Sequence, residues 1–249
     1  MGLEIFSLQE RPDLRPLIFA SDLQSVWPEF MTHDAAANLY FAPSMFDRYL
    51  DYAFAGVVDG KVVARAFSVP FAFNTDGRAE LPDGGWDQVI RWAHDDSMTG
   101  RTPTAVSALE ISLLPEVRGS GNSLALLSAM KAGAKAKGFS DLFAPVRPNQ
   151  KHLQPHTSMR DYVDKVRPDG WPIDAWLRTH LRAGGKFIRI APYSMTIVGS
   201  LAEWSRWTGM PFDRSGEMSV AGALVPVMVS LEQDYAVYVE PNLWVQHPV

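Results

Sequence analysis

The sequence predicts an α/β (α+β) fold in which helices flank a mixed, mostly antiparallel central sheet. Three patterns support this prediction. Residues 53–69 form two apolar runs around Asp59-Gly60, the two-residue turn typical of a β-hairpin. Residues 104–148 predict a strand, a glycine-containing turn, a helix and a second strand. Residues 223–239 predict a closing hairpin near the C-terminus.

Composition bounds the class of protein. The 249 residues are 47% hydrophobic and 20% charged, as in a soluble globular protein. The net charge of −5 argues against non-specific nucleic-acid binding and against an anionic membrane surface. Without cysteine, disulfides, thiolate metal sites and cysteine nucleophiles are excluded. No run approaches the roughly 18 apolar residues of a membrane span, and no secretory signal is recognised, so we expect a cytoplasmic protein without a membrane partner.

The N-terminal part predicts one strand followed by helices. Leu3–Ser7 is a first strand, and residues 17–31 carry apolar side chains at helical spacing, interrupted by Pro28. Residues 44–52 predict a short helix with Ser44 as its cap, and residues 86–94 another helix before the central strand.

The stretch from Thr104 to Pro148 organises the rest of the chain. Residues 104–114 predict a buried strand, and residues 115–123 interrupt it sharply. An alanine-rich helix follows over 124–137, and residues 141–145 form a second apolar strand. The chain therefore enters a helix directly from a glycine-containing turn.

The chemistry of that turn predicts an anion site. Gly119 and Gly121 allow backbone conformations that other residues avoid, and they let a ligand approach the main chain. The first amides of a helix lack intrahelical partners and carry partial positive charge, which suits phosphate. Arg118 adds a forked cation, and Asn122 or Ser123 could cap the helix. The alternative is a strand-to-helix turn without a ligand.

Two common phosphate-binding motifs do not fit this turn. A Walker loop needs Lys and then Ser or Thr after its last glycine, where Asn122 stands. A dinucleotide fingerprint needs glycine at Leu124 and an acidic residue closing the next strand, whereas Asp141 opens it. The remaining pattern, Arg/Gln-x-x-Gly-x-Gly/Ala, matches residues 118–123 except for the final serine.

With this pattern, the chain resembles the GNAT acyltransferase superfamily, whose members hold the pyrophosphate of an acyl-coenzyme A there. The resemblance covers the strand, turn, helix and strand of residues 104–148, and the hairpin and helices before them. It implies a GNAT-like fold and acetyl-CoA or another acyl-CoA as co-substrate. It also implies that the pantetheine arm lies along strand 109–114, where that strand splays from 142–145. The implied coenzyme-binding residues are Ser112, Leu113, Leu114, Arg118, Gly119, Ser120, Gly121, Asn122, Ser123 and Asn149.

Three residues are candidates for proton transfer. Glu110 lies among apolar neighbours, so it is either a general base or a structural carboxylate tied to Arg65. His180 falls where relatives often carry a tyrosine that protonates the leaving thiolate. Histidine titrates near neutrality and could act as acid or base, or be a hydrogen-bonded helix residue. Tyr162 is a weaker acid candidate.

Other catalytic arrangements find little support. His152 and His156 are four residues apart, but Pro155 separates them and no third ligand is nearby, so we expect no metal site. No Gly-x-Ser-x-Gly elbow is present for a catalytic triad.

The second half of the chain departs from the minimal pattern. We expect one domain over residues 1–249, with an insertion at 146–172 and a C-terminal extension at 200–249 that covers the sheet or forms a dimer face. In relatives the last helix often ends with the motif Tyr-x-x-x-Gly-Phe before a strand. In this chain, His180 stands at the tyrosine position of that motif and Gly185 at the phenylalanine position.

Smaller elements complete this half. Helices are predicted at 158–166, 173–182 and 201–209, and strands at 186–190 and 195–198.

Three hypotheses of function remain. The first is transfer of an acetyl or related acyl group from coenzyme A to the amine of a small molecule, with a homodimer possible. The second keeps the fold but takes the acyl group from a carrier-protein thioester or an aminoacyl-tRNA. The tRNA donor predicts a basic stripe formed by Lys131, Lys135, Lys137 and Lys151. The third is a non-catalytic acyl-CoA-binding domain.

Overall fold

The computed structural model describes residues 2–249, with the side chains of all of them except residues 21, 45 and 46. The strands are β1 (Glu4–Ser7), β2 (Ala53–Val58), β3 (Lys61–Phe71), β4 (Ala105–Leu113), β5 (Asp141–Val146), β6 (Lys186–Gly199), β7 (Gly216–Met218), β8 (Val227–Ser230) and β9 (Tyr235–Pro248). The α-helices are α1 (Arg15–Ile18), α2 (Ser21–Gln24), α3 (Ala35–Tyr40), α4 (Gly85–Thr99), α5 (Asn122–Ala136), α6 (Met159–Val163), α7 (Ala175–Arg182) and α8 (Leu201–Thr208).

The described strands join into one sheet in the order β1-β2-β3-β4-β5-β9-β8-β7, and β6 also pairs with β9. The β4–β5 pair is parallel and the other pairs are antiparallel. A parallel pair needs a crossover, which α5 supplies. The predicted mixed, mostly antiparallel sheet with flanking helices is therefore confirmed.

The predicted first hairpin is present. Val58 pairs with Lys61 across Asp59 and Gly60. Both turn residues have positive φ, 51° and 80°, as a hairpin turn matched to strand twist requires.

The strands β3 and β4 lie in the middle of the sheet, and helices cover both of their faces. In β3, Ala64 and Ala66 pack with Leu127 and Met130 of α5 on one face. Val63 and Phe67 pack with the N-terminal helices on the other face. A sheet buried on both faces explains the nearly continuous apolar sequence of these strands.

The strands β4 and β5 separate soon after they meet. Within the described residues they pair at Val106–Leu142 and Ser107–Phe143, and β5 then continues along β9. The register of β4 against β3 also slips, since Phe67 faces Glu110 whereas its neighbour faces Ala108. The slip leaves Leu109 as the extra residue of a bulge. The wedge between β4 and β5 therefore opens beside this bulge.

The N-terminal connection is more broken than the sequence predicts. In place of one helix over 17–31, the chain forms α1, α2 and a 3-10 turn at Glu29–His33. Pro28, which cannot donate a backbone hydrogen bond, separates α2 from that turn. The predicted 44–52 helix is two 3-10 turns, and α3, capped by Asp34, was not predicted.

The C-terminal part is integral to the sheet. The expected strands 186–190 and 195–198 are one strand, β6, with irregular register between Ala191 and Met195. The predicted hairpin is present, with Ser230 facing Tyr235. However, β9 runs on to Pro248 between β5 and β6, so residues after 199 supply a central strand instead of a cover. Among the described residues, no helix combines the length and apolarity needed to cross a membrane.

Candidate active site

A cavity of about 950 Å³ passes through the wedge between β4 and β5. One end opens at the β4–α5 turn, where Arg118 and Gly119 line it. The opposite end is enclosed by the N-terminal helices and by β9, with Trp27, Phe41 and Glu240 in its wall. We call the first the coenzyme end and the second the reaction end.

The coenzyme end exposes backbone amides. Gly119 and Gly121 both have φ of +79°, a conformation that favours glycine. Gly121 is the N-cap of α5, and no side chain caps the helix. The expected cap by Asn122 or Ser123 is therefore wrong. The side-chain amide of Asn122 instead donates through Nδ2 to the Val117 carbonyl at 2.9 Å. The first amides of a 15-residue helix are left for an anion.

Arg118 stands at the mouth of the cavity. Its Nε donates to the Leu113 carbonyl at 3.1 Å, which anchors an otherwise exposed guanidinium beside the turn. Leu114 is turned toward β3, where its amide donates to the Val63 carbonyl at 2.9 Å. Ser120 and Gly121 are exposed in the turn itself. The predicted coenzyme residues that line the cavity are Ser112, Leu113, Arg118, Gly119, Ser123 and Asn149.

Glu110 lines the cavity with its side chain 7% exposed. Its Oε1 accepts from Arg65 Nε at 2.6 Å, from Ser112 Oγ at 2.5 Å and from Trp27 Nε1 at 3.4 Å. All three bonds fall on one oxygen, which leaves Oε2 for a ligand. Glu110 is thus tied to Arg65, as the structural interpretation expected, and it also forms part of the cavity wall.

Arg65 is the buried counterion of Glu110. Its side chain is 1% exposed, and its other nitrogens donate to the Ile18 carbonyl at 2.9 Å and to Gln24 Oε1 at 3.0 Å. A buried guanidinium needs both charge compensation and hydrogen-bond acceptors, and this one has them. The pair therefore fixes Glu110 against the floor of the cavity.

The β4 bulge is held by a tryptophan of α4. Trp86 Nε1 donates to the Leu109 carbonyl at 2.9 Å, and both residues line the cavity. Trp86 therefore ties α4 to the bulged part of the cavity wall.

A second buried carboxylate, Glu240 of β9, was missed by sequence reasoning. It is 0% exposed and accepts from Arg147 Nε at 2.9 Å, Tyr238 Oη at 2.7 Å and Asn242 Nδ2 at 3.0 Å. Burial raises the pKa of the Tyr238 hydroxyl, so it remains a donor. Because β9 begins at Tyr235, more than 100 residues beyond the turn, no local pattern indicated that Glu240 reaches the cavity.

His180 also lines the cavity, from the last turn of α7. It is 2% exposed, and its Nδ1 lies 2.8 Å from Nε2 of His247 on β9. Burial, together with His247, lowers the pKa of His180 well below its ordinary value, so it is uncharged at neutral pH. Trp176 packs edge-on against the ring, with centroids 4.4 Å apart.

The structure does not bring Tyr162 to the cavity. Tyr162 is a buried residue of α6, and its hydroxyl donates to Asp174 Oδ2 at 2.9 Å. Burial and the Asp174 charge raise the pKa of that hydroxyl, which suits a structural bond.

His152 and His156, which are four residues apart, lie in different environments. His152 lines the cavity, whereas His156 contacts Glu217 and Ser219 on the surface. In the described part of the chain, no cluster of three or more His, Cys, Asp or Glu side chains could hold a metal ion.

Comparisons with known proteins agree with this geometry. No protein-family model matches the chain. The arginine N-acetyltransferase avaD of Aspergillus versicolor is 31% identical over 277 residues, covering 100% of this chain and 94% of that protein. The loading GNATL domain of CurA from Lyngbya majuscula has a similar fold, with a TM-score of 0.54 and 14% identity over 100% of this chain and 98% of that one. The GphF GNAT-like decarboxylase in complex with isobutyryl-CoA gives a TM-score of 0.55 and 14% identity, over 100% and 99%.

The chain belongs to the GNAT acyltransferase superfamily, as its full-length relative shows. It is an N-acyltransferase that takes an acyl group from coenzyme A to an amine, and acyl-CoA is its co-substrate. The predictions of family, enzyme class and co-substrate are thereby confirmed.

Proposed function

We propose that this enzyme transfers an acetyl group from acetyl-CoA to an amine of arginine or a close cationic analogue. The observation that carries the proposal is the continuous cavity from the anion-binding turn at Arg118 to the buried carboxylates Glu110 and Glu240. Each carboxylate is paired with an arginine, so the reaction end presents both signs of charge. That pairing suits a zwitterionic substrate with a cationic side chain, and a full-length relative carries the name of an arginine N-acetyltransferase.

In the proposed complex, the coenzyme diphosphate binds the amides of residues 119–123, with Arg118 beside it. The pantetheine arm follows the part of β4 that β5 leaves unpaired, and Asn149 lies near it. The thioester then sits by the Leu109 bulge, next to Glu110. This placement brings the acyl carbonyl and the amine together in one enclosed space.

The proposed chemistry needs one proton acceptor and one group that serves the leaving sulfur. Glu110 takes the proton from the incoming ammonium, and the neutral amine attacks the thioester carbonyl. The new C–N bond forms, the C–S bond breaks, and His180 serves the departing thiolate. Tyr162 has no part in this scheme because it lies outside the cavity.

The test is release of free thiol from acetyl-CoA, followed with L-arginine, agmatine, L-lysine and L-citrulline. We expect kcat/KM to be highest for arginine and lowest for citrulline, which keeps the shape of arginine without its side-chain charge. Mass spectrometry should show one added acetyl group. If none of these amines raises thiol release above the amine-free rate, the proposal fails.

An aminoacyl-tRNA donor has less support. The basic stripe that it requires would include Lys151, which is fully buried and donates to the Leu224 carbonyl at 2.7 Å. Lys131 donates to the Ala183 carbonyl, and Lys137 pairs with Asp51. A free coenzyme donor therefore agrees better with this surface.

We further propose a cytoplasmic homodimer. One face of the β6–β9–β8 region carries the exposed apolar side chains Val198, Met228, Tyr235 and Val239. The other face is packed under α8. Light scattering coupled to gel filtration would show twice the chain mass if that face joins two copies, and the monomer mass would exclude it.

A further inference from the structure

Two buried imidazoles, His180 and His247, form one hydrogen-bonded unit, of which His180 lines the cavity. They share the 2.8 Å contact between His180 Nδ1 and His247 Nε2, and both rings are at most 2% exposed. The two outer nitrogens, His180 Nε2 and His247 Nδ1, are buried without a hydrogen-bond partner. Since His180 lines the cavity, Nε2 is the nitrogen left to meet a ligand.

Counting protons restricts what this pair can do. Burial, together with Lys131, lowers the pKa of His247 to about 4, and His180 is uncharged as well, so the pair holds two N–H protons at neutral pH. One proton occupies the shared contact. The other lies either on His247 Nδ1, leaving His180 Nε2 a bare acceptor, or on His180 Nε2.

The surroundings of His247 favour the first arrangement. The Ala183 carbonyl lies near the His247 ring and acts on its pKa, raising it against the larger effect of burial. A carbonyl oxygen attracts an N–H and repels a bare nitrogen lone pair. The same carbonyl accepts from Lys131 Nζ at 2.9 Å, which fixes its position. The carbonyl therefore favours a proton on His247 Nδ1, with the shared proton accepted at His247 Nε2.

Gly185 shows that the chain makes room for this pair. A Cβ built on Gly185 would lie 2.6 Å from the His247 ring and 2.7 Å from the His180 carbonyl oxygen. Any larger side chain at 185 would displace His247. Glycine therefore stands at this position, where relatives often carry phenylalanine, because a side chain would leave no room for His247.

We propose that His247 is a positioning residue that fixes the tautomer of His180, so that His180 Nε2 presents a lone pair to the reacting groups. The proposal rests on the proposed acyl transfer and deepens it. His180 Nε2 takes the proton from the nitrogen of the tetrahedral adduct while the C–N bond is in place. It then returns that proton to the sulfur as the C–S bond breaks, so one proton moves from nitrogen to sulfur.

The low proton affinity of His180 suits this shuttle. An imidazolium in a buried site that disfavours its charge is a strong acid and passes the proton on quickly. The adduct nitrogen, which is cationic, gives up its proton readily. His180 therefore holds the proton only for the short time between these two transfers.

The first experiment reads the tautomer directly. Long-range ¹H–¹⁵N spectra of protein labelled at its histidines distinguish a protonated ring nitrogen from a bare one, and His180→Gln assigns the His180 signals. We expect Nδ1 of His180 to be protonated and Nε2 bare, and His247→Leu to shift the proton toward Nε2. A protonated Nε2 in the unmodified enzyme would overturn the proposal.

The second experiment measures the consequence for the reaction. His247→Leu should lower kcat about tenfold or more with little change in the KM for acetyl-CoA, by analogy with other residues that orient a reacting group. His247→Gln, whose amide can accept the shared proton, should recover most of the lost rate. His94→Leu, a histidine outside the cavity, controls for general loss of stability.

The outcomes separate this inference from the proposed function. If kcat is unchanged in His247→Leu while the tautomer shifts, His247 has no role and the inference is overturned. If the unmodified enzyme acetylates none of the amines, the proposed function fails, and the spectra alone decide whether His247 sets the tautomer. Should His247→Leu not fold, His247→Gln and the spectra of the unmodified enzyme still decide.

Discussion

The two ends of the cavity are built in opposite ways. The coenzyme end consists of six consecutive residues, Arg118 to Ser123, and it offers exposed backbone amides. The reaction end brings together Arg65, Glu110, His180 and Glu240, which come from β3, β4, α7 and β9 and are mostly buried. One end binds through main-chain geometry and the other through paired side chains.

This difference suits the ligand that we propose for each end. A diphosphate keeps part of its contact with water, so exposed amides and one arginine would suffice to bind it. A reacting carbonyl and amine must be enclosed, and enclosed charges require partners from several elements. The first end can therefore be local in sequence, whereas the second depends on the complete sheet.

The largest expected effect tests the buried charges. Arg65→Met should lower the free energy of unfolding by about 3–5 kcal/mol, because Glu110 would be left buried without its counterion. Lys61→Met removes an ion pair with Glu116 beside the turn, where the side chains are 59% and 54% exposed, and should change stability far less because solvent screens an exposed pair. Urea unfolding followed by circular dichroism measures both. Equal losses would contradict the contrast between the two ends.

A second effect tests proton transfer. Glu110→Gln should lower kcat about a hundredfold without a matching change in the KM for acetyl-CoA, because only the reaction end is altered. Tyr162→Phe is the matched control: it removes a buried hydroxyl outside the cavity and should leave kcat within about twofold, with roughly 1 kcal/mol less stability. A full rate in Glu110→Gln would remove this residue from the mechanism.

A third effect concerns two carboxyls behind the wall of the reaction end. Asp34 and Asp87 are both buried, and each has one oxygen without a hydrogen-bond partner. Burial, together with the charge of Asp34, raises the pKa of Asp87 to about 8. Asp87 Oδ2 accepts from the Thr196 amide at 3.2 Å, next to Met195 in the cavity wall.

This raised pKa predicts the sign of a pH effect. Between the ordinary pKa of 3.8 and about 8, folded Asp87 holds a proton that the unfolded chain has lost, so stability falls as pH rises through that window. The slope should approach about 1 kcal/mol per pH unit. Asp87→Asn should flatten it, whereas Asp95→Asn, an exposed position on the same helix, should not. Urea midpoints at pH 6 and pH 8 decide; an unchanged slope in Asp87→Asn contradicts the assignment.

The smallest effect tests the coenzyme end. Gly121→Ala should raise the KM for acetyl-CoA about tenfold, since alanine at φ +79° is disfavoured by about 1–2 kcal/mol and the turn would adjust. Gly77→Ala carries the same strain at φ +77° in an exposed turn outside the cavity. It should lose similar stability and keep its KM. If both variants bind acetyl-CoA normally, the turn is not where the diphosphate binds.

Several features were predictable because they depend on neighbours in sequence. The Asp59-Gly60 hairpin, the strand before Pro115 and the turn at Gly119 and Gly121 follow from local backbone preferences. The pairing of Glu110 with Arg65 was expected as one of two alternatives, and the structure shows that pairing.

Other features were out of reach for a physical reason. Pro28 breaks the expected long helix, but nothing local shows that α3 begins at Asp34, because that carboxyl is fixed by burial against other elements. Nor could the sequence show that β9 runs between β5 and β6, which brings Glu240 to the cavity and His247 to His180. Strand order depends on contacts between distant residues.

By itself, the sequence determined the sheet-and-helix class and the glycine-containing turn before α5, because backbone preferences and helix-start chemistry act over a few residues. The tertiary structure alone decided which side chains line the reaction end. Arg65 and Glu240 reach the cavity, and His247 reaches His180, only after the sheet has closed, since a buried charge or imidazole is defined by what packs against it.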